Sequence, residues 1–305
     1  LVVSQKSNSL DVATAESINL QLECLRTKLA SYLRALQKDP RYSSSWMRVI
    51  KEQMLQAVNP RDISVSSQQQ LNEFIEERAG YSDKQWEDLL RSYNVFDLHD
   101  TMKEVKSVAE EVLSQKLKKT QPYKFRQFDI DNFLIPDKIL LLNFNYTSVA
   151  DSYLPKSQLF KVNHIHGTLE DTDSIIFGYG DELDKNYQIL REENENEYLK
   201  NMKSVRYLES DNYRKLLEFV NSGPFQIYIM GHSCGNSDRT LLNTLFEHDN
   251  CVSIKPFYYQ KDDQSDNYLD IIQNISRNFT DMKKMRDRVV NKTYCEPLPQ
   301  INAKE

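Results

Sequence analysis

Apolar residues recur at three- and four-residue intervals along the first part of the chain, then give way to short continuous runs. Between Ile18 and Leu36 the stripe is Leu20, Leu22, Cys24, Leu25, Leu29, Leu33 and Leu36, which predicts an amphipathic helix. Ser66 to Glu76 and Ser82 to Tyr93 read as further helices, each opened by a serine. Ser82-Asp-Lys-Gln85 has the form of a capping box. Asp100 to Leu117 adds another, with Met102, Val105, Val108, Val112 and Leu113 on one face. Stripes of this kind predict helices packed on one another, so residues 1–121 are expected to form a helical region.

The period changes near residue 122. Tyr123 to Phe128 alternates loosely, Lys138 to Phe144 is an apolar run suited to a buried parallel strand, and Gln158 to His166 alternates. Asp173 to Phe177 reads as a short strand, and Lys185 to Met202 and Asp211 to Val220 as helices. Strand 225–230, helix 237–247, strand 251–258 and a helix from Asp266 to Phe279 follow; Gln260 to Asp266 is a polar loop and Pro297 to Glu305 a tail. Strands alternating with helices imply crossovers and a largely parallel sheet. The expected fold class is α/β: a Rossmann-like, mostly parallel sheet over 122–305, preceded by the large N-terminal α-helical region.

Composition narrows the classes. A chain of 305 residues holds one large or two modest domains. Net charge is −6, and the nearest thing to a basic block is Lys116-Leu-Lys-Lys119, which suits the end of a helix. A nucleic-acid surface driven by charge is therefore not expected. No apolar run approaches the roughly 20 residues that span a bilayer, and no signal peptide is visible, so no membrane partner is expected. Cys24, Cys234, Cys251 and Cys295 are scattered without a CxxC pair, which points to a reducing, cytoplasmic setting and away from structural zinc.

Candidate chemistry gathers where apolar runs end. Ligands of open α/β sheets bind at the carboxyl ends of the strands. The run Leu140-Leu-Leu ends in Asn143-Phe-Asn145-Tyr-Thr147. Asn145 there either orients a water or sugar hydroxyl, or closes the strand as an Asx turn. His164-Ile-His166-Gly167 follows. A histidine at a strand exit beside a glycine suits a proton acceptor near a ligand. His164 shares the strand parity of His166, so both are expected on one face. No carboxylate or cysteine stands at a matching metal spacing, and no metal is expected.

The third exit is Gly231-His232-Ser233-Cys234-Gly235-Asn236-Ser237-Asp238, leading into helix 237–247. Amides at a helix start bind anions; alternatively Asn236 or Ser237 simply caps the helix. The stretch also fits the G-x-S-x-G pattern of a nucleophile elbow. A hydrolase would need an acid and then a histidine downstream, and His248 follows too closely.

Taken in order, Asn143-Phe-Asn-Tyr-Thr147, His164-Ile-His-Gly167, Ile175-Ile-Phe-Gly-Tyr179 and Gly231-His-Ser-Cys-Gly-Asn-Ser-Asp238 resemble the AbiH family of phage abortive-infection proteins, and through it sirtuin-like folds. The resemblance covers about residues 138 to 300. It implies NAD as substrate or ligand, with Asn145 and His166 in catalytic places. Asn143, Thr147, Gly167, Gly231, His232, Ser233 and Asp238 would then line the nucleotide. Thr147 stands where sirtuin-like domains carry aspartate. Their four-cysteine zinc module has no counterpart here, so cleavage of the nicotinamide–ribose bond fits better than deacylation. The family's opening strand and G-N-G-F-D loop also have no counterpart, and the first residue is Leu1; the expectation is a chain without that strand and loop.

The expected function is an antiphage abortive-infection effector that cleaves NAD in its intact form. The competing reading is a module that senses a nucleotide or phage component and acts through its helices, without turnover. A weaker one is a metal-dependent nuclease or nucleotide hydrolase. A phage-derived trigger and a homo-oligomer are the partners the resemblance suggests.

Overall fold

The computed structural model describes residues 14–37, 44–120, 122–125, 130–262 and 265–300. Leu1, part of the 123–128 stretch, two residues of the 260–266 loop and the last five residues of the tail lie outside these.

The first helix, α1 (Ala15–Gln37), forms where its leucine stripe predicts, but that stripe is not a core face. Leu20 and Leu25 are 67% and 53% exposed, and Ala30 is the one buried residue of the helix. Ala30 and Leu33 pack on Leu169 and Ile175, and polar bonds add to that contact. Arg34 donates to the Leu169 carbonyl at 2.7 Å, Gln37 to the Ser148 hydroxyl at 2.8 Å, and Asn19 to the Glu197 carbonyl at 2.8 Å. The next helix, α2 (Ser44–Met54), has no counterpart in the sequence reading.

Three helices then build the packed layer: α3 (Gln68–Ala79), α4 (Asp83–Ser92) and α5 (Leu98–Leu117). The capping box at α4 is present: the Ser82 hydroxyl accepts from the Gln85 amide, and the Gln85 side chain returns a bond to the Ser82 amide. Leu71, Ile75, Trp86, Leu90, Val105 and Val112 interlock around Phe133 and Leu134. Val252, from the α/β half, closes the same cluster.

Two parallel ladders follow. In the first, β1 (Ile139–Asn143) runs beside β2 (Phe160–His164), with Asn143 opposite His164. Tyr207 and the helices α6 (Lys185–Glu192), α7 (Asn196–Leu199), α8 (Lys203–Arg206) and α9 (Asn212–Asn221) come next. In the second ladder, β3 (Phe225–Met230) pairs with β4 (Cys251–Phe257) across α10 (Arg239–Phe246), and Ile227 lies opposite Ile254. The helices α11 (Tyr268–Arg277) and α12 (Met282–Arg288) close the chain. Ile229, Leu241, Leu245, Ile254 and Ile275 form the second core. Among the described residues, no helix is long and apolar enough to cross a membrane.

Three expectations need correction. The strands are parallel as predicted, but they form two separate two-stranded sheets, because β1 and β3 share no ladder bond. The architecture is a helix-rich mixed α/β fold, and one continuous Rossmann-like, sirtuin-type sheet is not formed by the described residues. Asp173–Phe177 is not a strand: Thr172–Ser174 makes a 3-10 turn, and the Ile176 amide is spent on the His166 carbonyl at 2.9 Å. The helix predicted over 185–202 is two short helices, interrupted where Asn194 adopts φ 54°.

Candidate functional site

Phe144, the residue that follows β1, is the point where the three strand exits meet. The His166 ring stands edge-on to it at 5.3 Å, and the His232 ring lies against it at 4.1 Å. The exit of β1 is shaped by Asn143. Its side-chain amide donates to the carbonyls of Asn145 (3.0 Å) and Thr147 (3.1 Å), while its oxygen accepts from the Asn145 amide at 3.1 Å. The Asx turn considered for Asn145 is thus made by Asn143, which leaves the Asn145 side chain exposed. Thr147 takes part through its carbonyl.

The two histidines of the second exit separate. Strand β2 stops at His164, so alternation does not carry through to His166, and the shared face predicted from parity is absent. His164 Nδ1 accepts from the Asn143 amide at 3.0 Å, and Nε2 donates to Asp151 at 3.1 Å. His166, 3% exposed, turns inward. The chain folds back just after His166, at Gly167, whose φ is +81° and whose amide bonds the His164 carbonyl. A Cβ there would sit 2.1 Å from the Ser174 carbonyl oxygen, so this glycine admits the protein's own backbone rather than a ligand.

At the third exit, Asp238 is buried beneath the 3-10 turn Asn236–Asp238. It gathers cations and donors: Lys203 Nζ at 2.7 Å, His166 Nε2 at 3.2 Å, the Ser237 hydroxyl at 3.1 Å, and His232 Nε2 at 3.7 Å. Burial alone would raise the Asp238 carboxyl, but the bonds from His166 and His232 and the charge of Lys203 outweigh it and hold the group far below the usual range. It is therefore an anion at neutral pH. Within the protein, Asp238 anchors the other groups.

His166 is surrounded by acceptors. Nδ1 faces the Phe144 carbonyl at 3.3 Å, and Nε2 faces both Asp238 and the Tyr207 hydroxyl, the latter at 3.2 Å. Burial lowers its pKa most, with Lys203 acting in the same direction, and the Asp238 hydrogen bond only partly opposes them. The neutral ring donates from Nε2 to Asp238, which leaves Nδ1 free to take up a proton. A proton arriving at Nδ1 bonds the Phe144 carbonyl, and Asp238 stabilises the imidazolium. Such an arrangement can act as a base. Tyr207 stacks on the imidazole at 6.1 Å and 5°, and burial beside Asp238 raises its hydroxyl, so it stays protonated.

The lowered His166 pKa makes stability depend on pH. The unfolded imidazole takes a proton near its ordinary 6.5, before the folded one does. The contribution is complete above that value and is lost as pH falls below it. Urea midpoints should therefore drop between pH 7.5 and 5.5, and drop less in His166→Gln; equal slopes in the two proteins would refute this.

The G-H-S-C-G stretch is no nucleophile elbow. The left-handed residue is Cys234 (φ 54°), not Ser233. Cys234 is buried and its thiol is pushed up to about 12 by burial and by Asp238. Asn274 and Asn278 hold the carbonyls of Ser233 and Cys234, each at 2.8 Å. Gly231 (φ +76°) makes the turn out of β3, where an added Cβ would meet Leu298 at 3.9 Å, and Ser233 is exposed. His232 Nδ1 accepts from the Cys234 amide at 3.1 Å.

Lys203 and Tyr207 are the site residues that the sequence reading missed. Their signal is glycine: a Cβ on Gly180 would meet Lys203 Cβ at 2.9 Å, and the Lys203 amide bonds the Tyr179 carbonyl at 2.8 Å. The Gly178-Tyr-Gly180 turn is thus what lets α8 press Lys203 onto Asp238.

No curated protein and no solved structure matches the chain. Residues 18–260, which contain all three strand exits, match the family described as Bacteriophage abortive infection AbiH. With most of its length and its whole candidate site inside that match, the chain belongs to the AbiH family of phage abortive-infection proteins.

Proposed function

We propose that this protein acts in phage defence by hydrolysing the nicotinamide–ribose bond of NAD. What carries the reading is the convergence of three exits on Phe144, with the neutral His166 bonded to Asp238 of the third exit at 3.2 Å. Departure of nicotinamide leaves an oxocarbenium-like ribose, to which water must be delivered and from which a proton must be removed. Exposed Asn145 is the group that positions the water. His166 takes the proton, and Asp238 stabilises the resulting imidazolium. The glycines fit one side of such a ligand. Gly167, Gly178 and Gly180 are packed by the chain itself, whereas around Gly231 and Gly235 the nearest atoms to an added Cβ lie at 3.9 and 3.7 Å, leaving room for approach.

With His166 3% exposed, Tyr207 or Phe144 must turn aside before the imidazole touches a ribose. The same burial favours the second reading, in which the pocket registers a nucleotide without turning it over. Incubation of the full-length protein with NAD, following released nicotinamide and ADP-ribose by chromatography, tests both. Turnover is expected to fall about 10²–10⁴-fold in His166→Ala, the usual value of a general base, and to fall also in Asn145→Ala. Undiminished turnover in both variants rejects these roles. Calorimetric binding of NAD or ADP-ribose without turnover favours the sensor.

A further inference from the structure

Helix α1 grips the loops of the first two exits largely through their backbone. Two of its arginines end on carbonyls there. Arg34 donates to Leu169 from Nη2 at 2.7 Å and from Nε at 3.2 Å, and Arg26 donates to Ile175 at 3.5 Å. Gln37 holds the Ser148 hydroxyl beyond the exit of β1. The apolar part of the contact is small: Ala30 and Leu33 against Leu169 and Ile175, joined by Tyr146 and Phe177. A 23-residue helix with one buried residue adds little apolar burial, so its docking can open without either large core opening.

From that grip a continuous run of hydrogen bonds leads to His166. The Leu169 carbonyl takes Arg34, while the Leu169 amide donates to the Tyr146 carbonyl at 2.9 Å. The Tyr146 hydroxyl donates to the Ile176 carbonyl at 3.2 Å, and the Ile176 amide donates to the His166 carbonyl at 2.9 Å. Each residue in the run accepts from one neighbour and donates to the next, so a shift at one end is passed along. Burial and Asp238 push the Tyr146 hydroxyl up to about 12, which keeps it a donor at neutral pH. Leu169 and Ile176 are both 3% exposed, so water does not readily replace a broken link between them. The Tyr146 ring also lies 6.4 Å from the imidazole.

We propose that Arg34 is a positioning residue for His166, acting through Leu169, Tyr146 and Ile176, and that the docking of α1 thereby sets the geometry of the candidate base. Displacing α1 then disturbs His166 without altering Asp238, Lys203, Tyr207 or the Phe144 carbonyl, the groups that face its ring. The bearing of this control on catalysis rests on the NAD reading, whereas its test uses no nucleotide.

Hydrogen exchange and the imidazole NMR signals of the full chain provide that test. In Arg34→Ala, the amides of Leu169 and Ile176 are expected to exchange about tenfold faster, as the loss of one net hydrogen bond gives. The His166 titration is expected to move up toward the ordinary 6.5 as the pocket loosens. Arg34→Lys, which keeps a donor, should reverse most of both effects. Lys28→Ala, an exposed change on the same helix, should cause neither. Faster exchange at Leu169 with Ile176 and His166 unchanged would make Arg34 a plain tether and overturn the proposal. No acceleration at Leu169 would mean that the arginine does not hold the loop. Equal acceleration across β3 and β4 would mean that α1 opens only with the whole fold, and either result overturns the proposal as well.

Discussion

Replacing Asp238 by alanine is expected to destabilise the fold by about 3–5 kcal/mol, the usual cost of removing one partner from a buried ion pair. Lys203 and His166 are 6% and 3% exposed, so water cannot take over from the missing carboxylate. Among the described residues, Asp238 is the one carboxylate within ion-pair distance of the Lys203 ammonium. The truncation leaves that charge buried and alone, and it removes the bonds that Asp238 accepts from Ser237 and His166. Asp238→Asn should cost less than alanine, because an amide oxygen still accepts from Lys203. The combination Asp238→Ala with Lys203→Met should recover much of the loss, since no unpaired ammonium remains. Urea unfolding of the four proteins decides it. A loss below about 1 kcal/mol in Asp238→Ala, the range of an exposed pair, would show that the cluster is more solvated than its geometry says.

That cluster was only partly legible in the sequence. Strands β1 and β3 announced themselves because an apolar run interrupted by asparagine or glycine has few other uses, and α4 did so through Ser82 and Gln85, whose pairing is local. Asp238 drew notice as part of a motif but was assigned to a ligand, because nothing nearby in sequence says that Lys203 lies beneath it. Lys203 and Tyr207 belong to no motif: they reach the site through the packing of α8 on a glycine turn, which is tertiary information. The stripe on α1 misled in the other direction. Its leucines have helical spacing, yet only Ala30 and Leu33 join an apolar cluster, and Arg34, Gln37 and Asn19 tie the helix down by polar bonds. Helix α12 escaped notice because Met282-Lys-Lys-Met-Arg-Asp-Arg288 offers only Met285 and the stem of Arg288 to the interior; Asp281, capping the amides of Lys283 and Lys284, starts it. The single sheet was the larger miss. Parallel direction follows from alternating strands and helices, but adjacency of β1 and β3 does not, and the cavity between them is what separates the ladders.

A second buried pair joins the helical layer to the α/β half, and breaking it is expected to cost as much as losing Asp238. Lys255 in β4 reaches Asp62 at 3.1 Å, and the two residues are 2% and 4% exposed. The pairing is imperfect. Burial raises the Asp62 carboxyl more than Lys255 lowers it, and one carboxylate oxygen, Oδ1, has no hydrogen-bond partner. Glu296, half exposed at 3.6 Å, gives Lys255 a second, weaker anion. Either Lys255→Met or Asp62→Leu should therefore destabilise by about 3–5 kcal/mol, with Asp62→Leu the milder because Glu296 remains for the ammonium. The double variant should return to within about 1 kcal/mol of the parent, or exceed it, because two apolar side chains of similar volume carry no desolvation cost. A double-mutant cycle in urea gives the coupling directly. If the double loss equals the sum of the single losses, the two charges are independent and the joint between helices and strands is held by Val252 and its apolar neighbours.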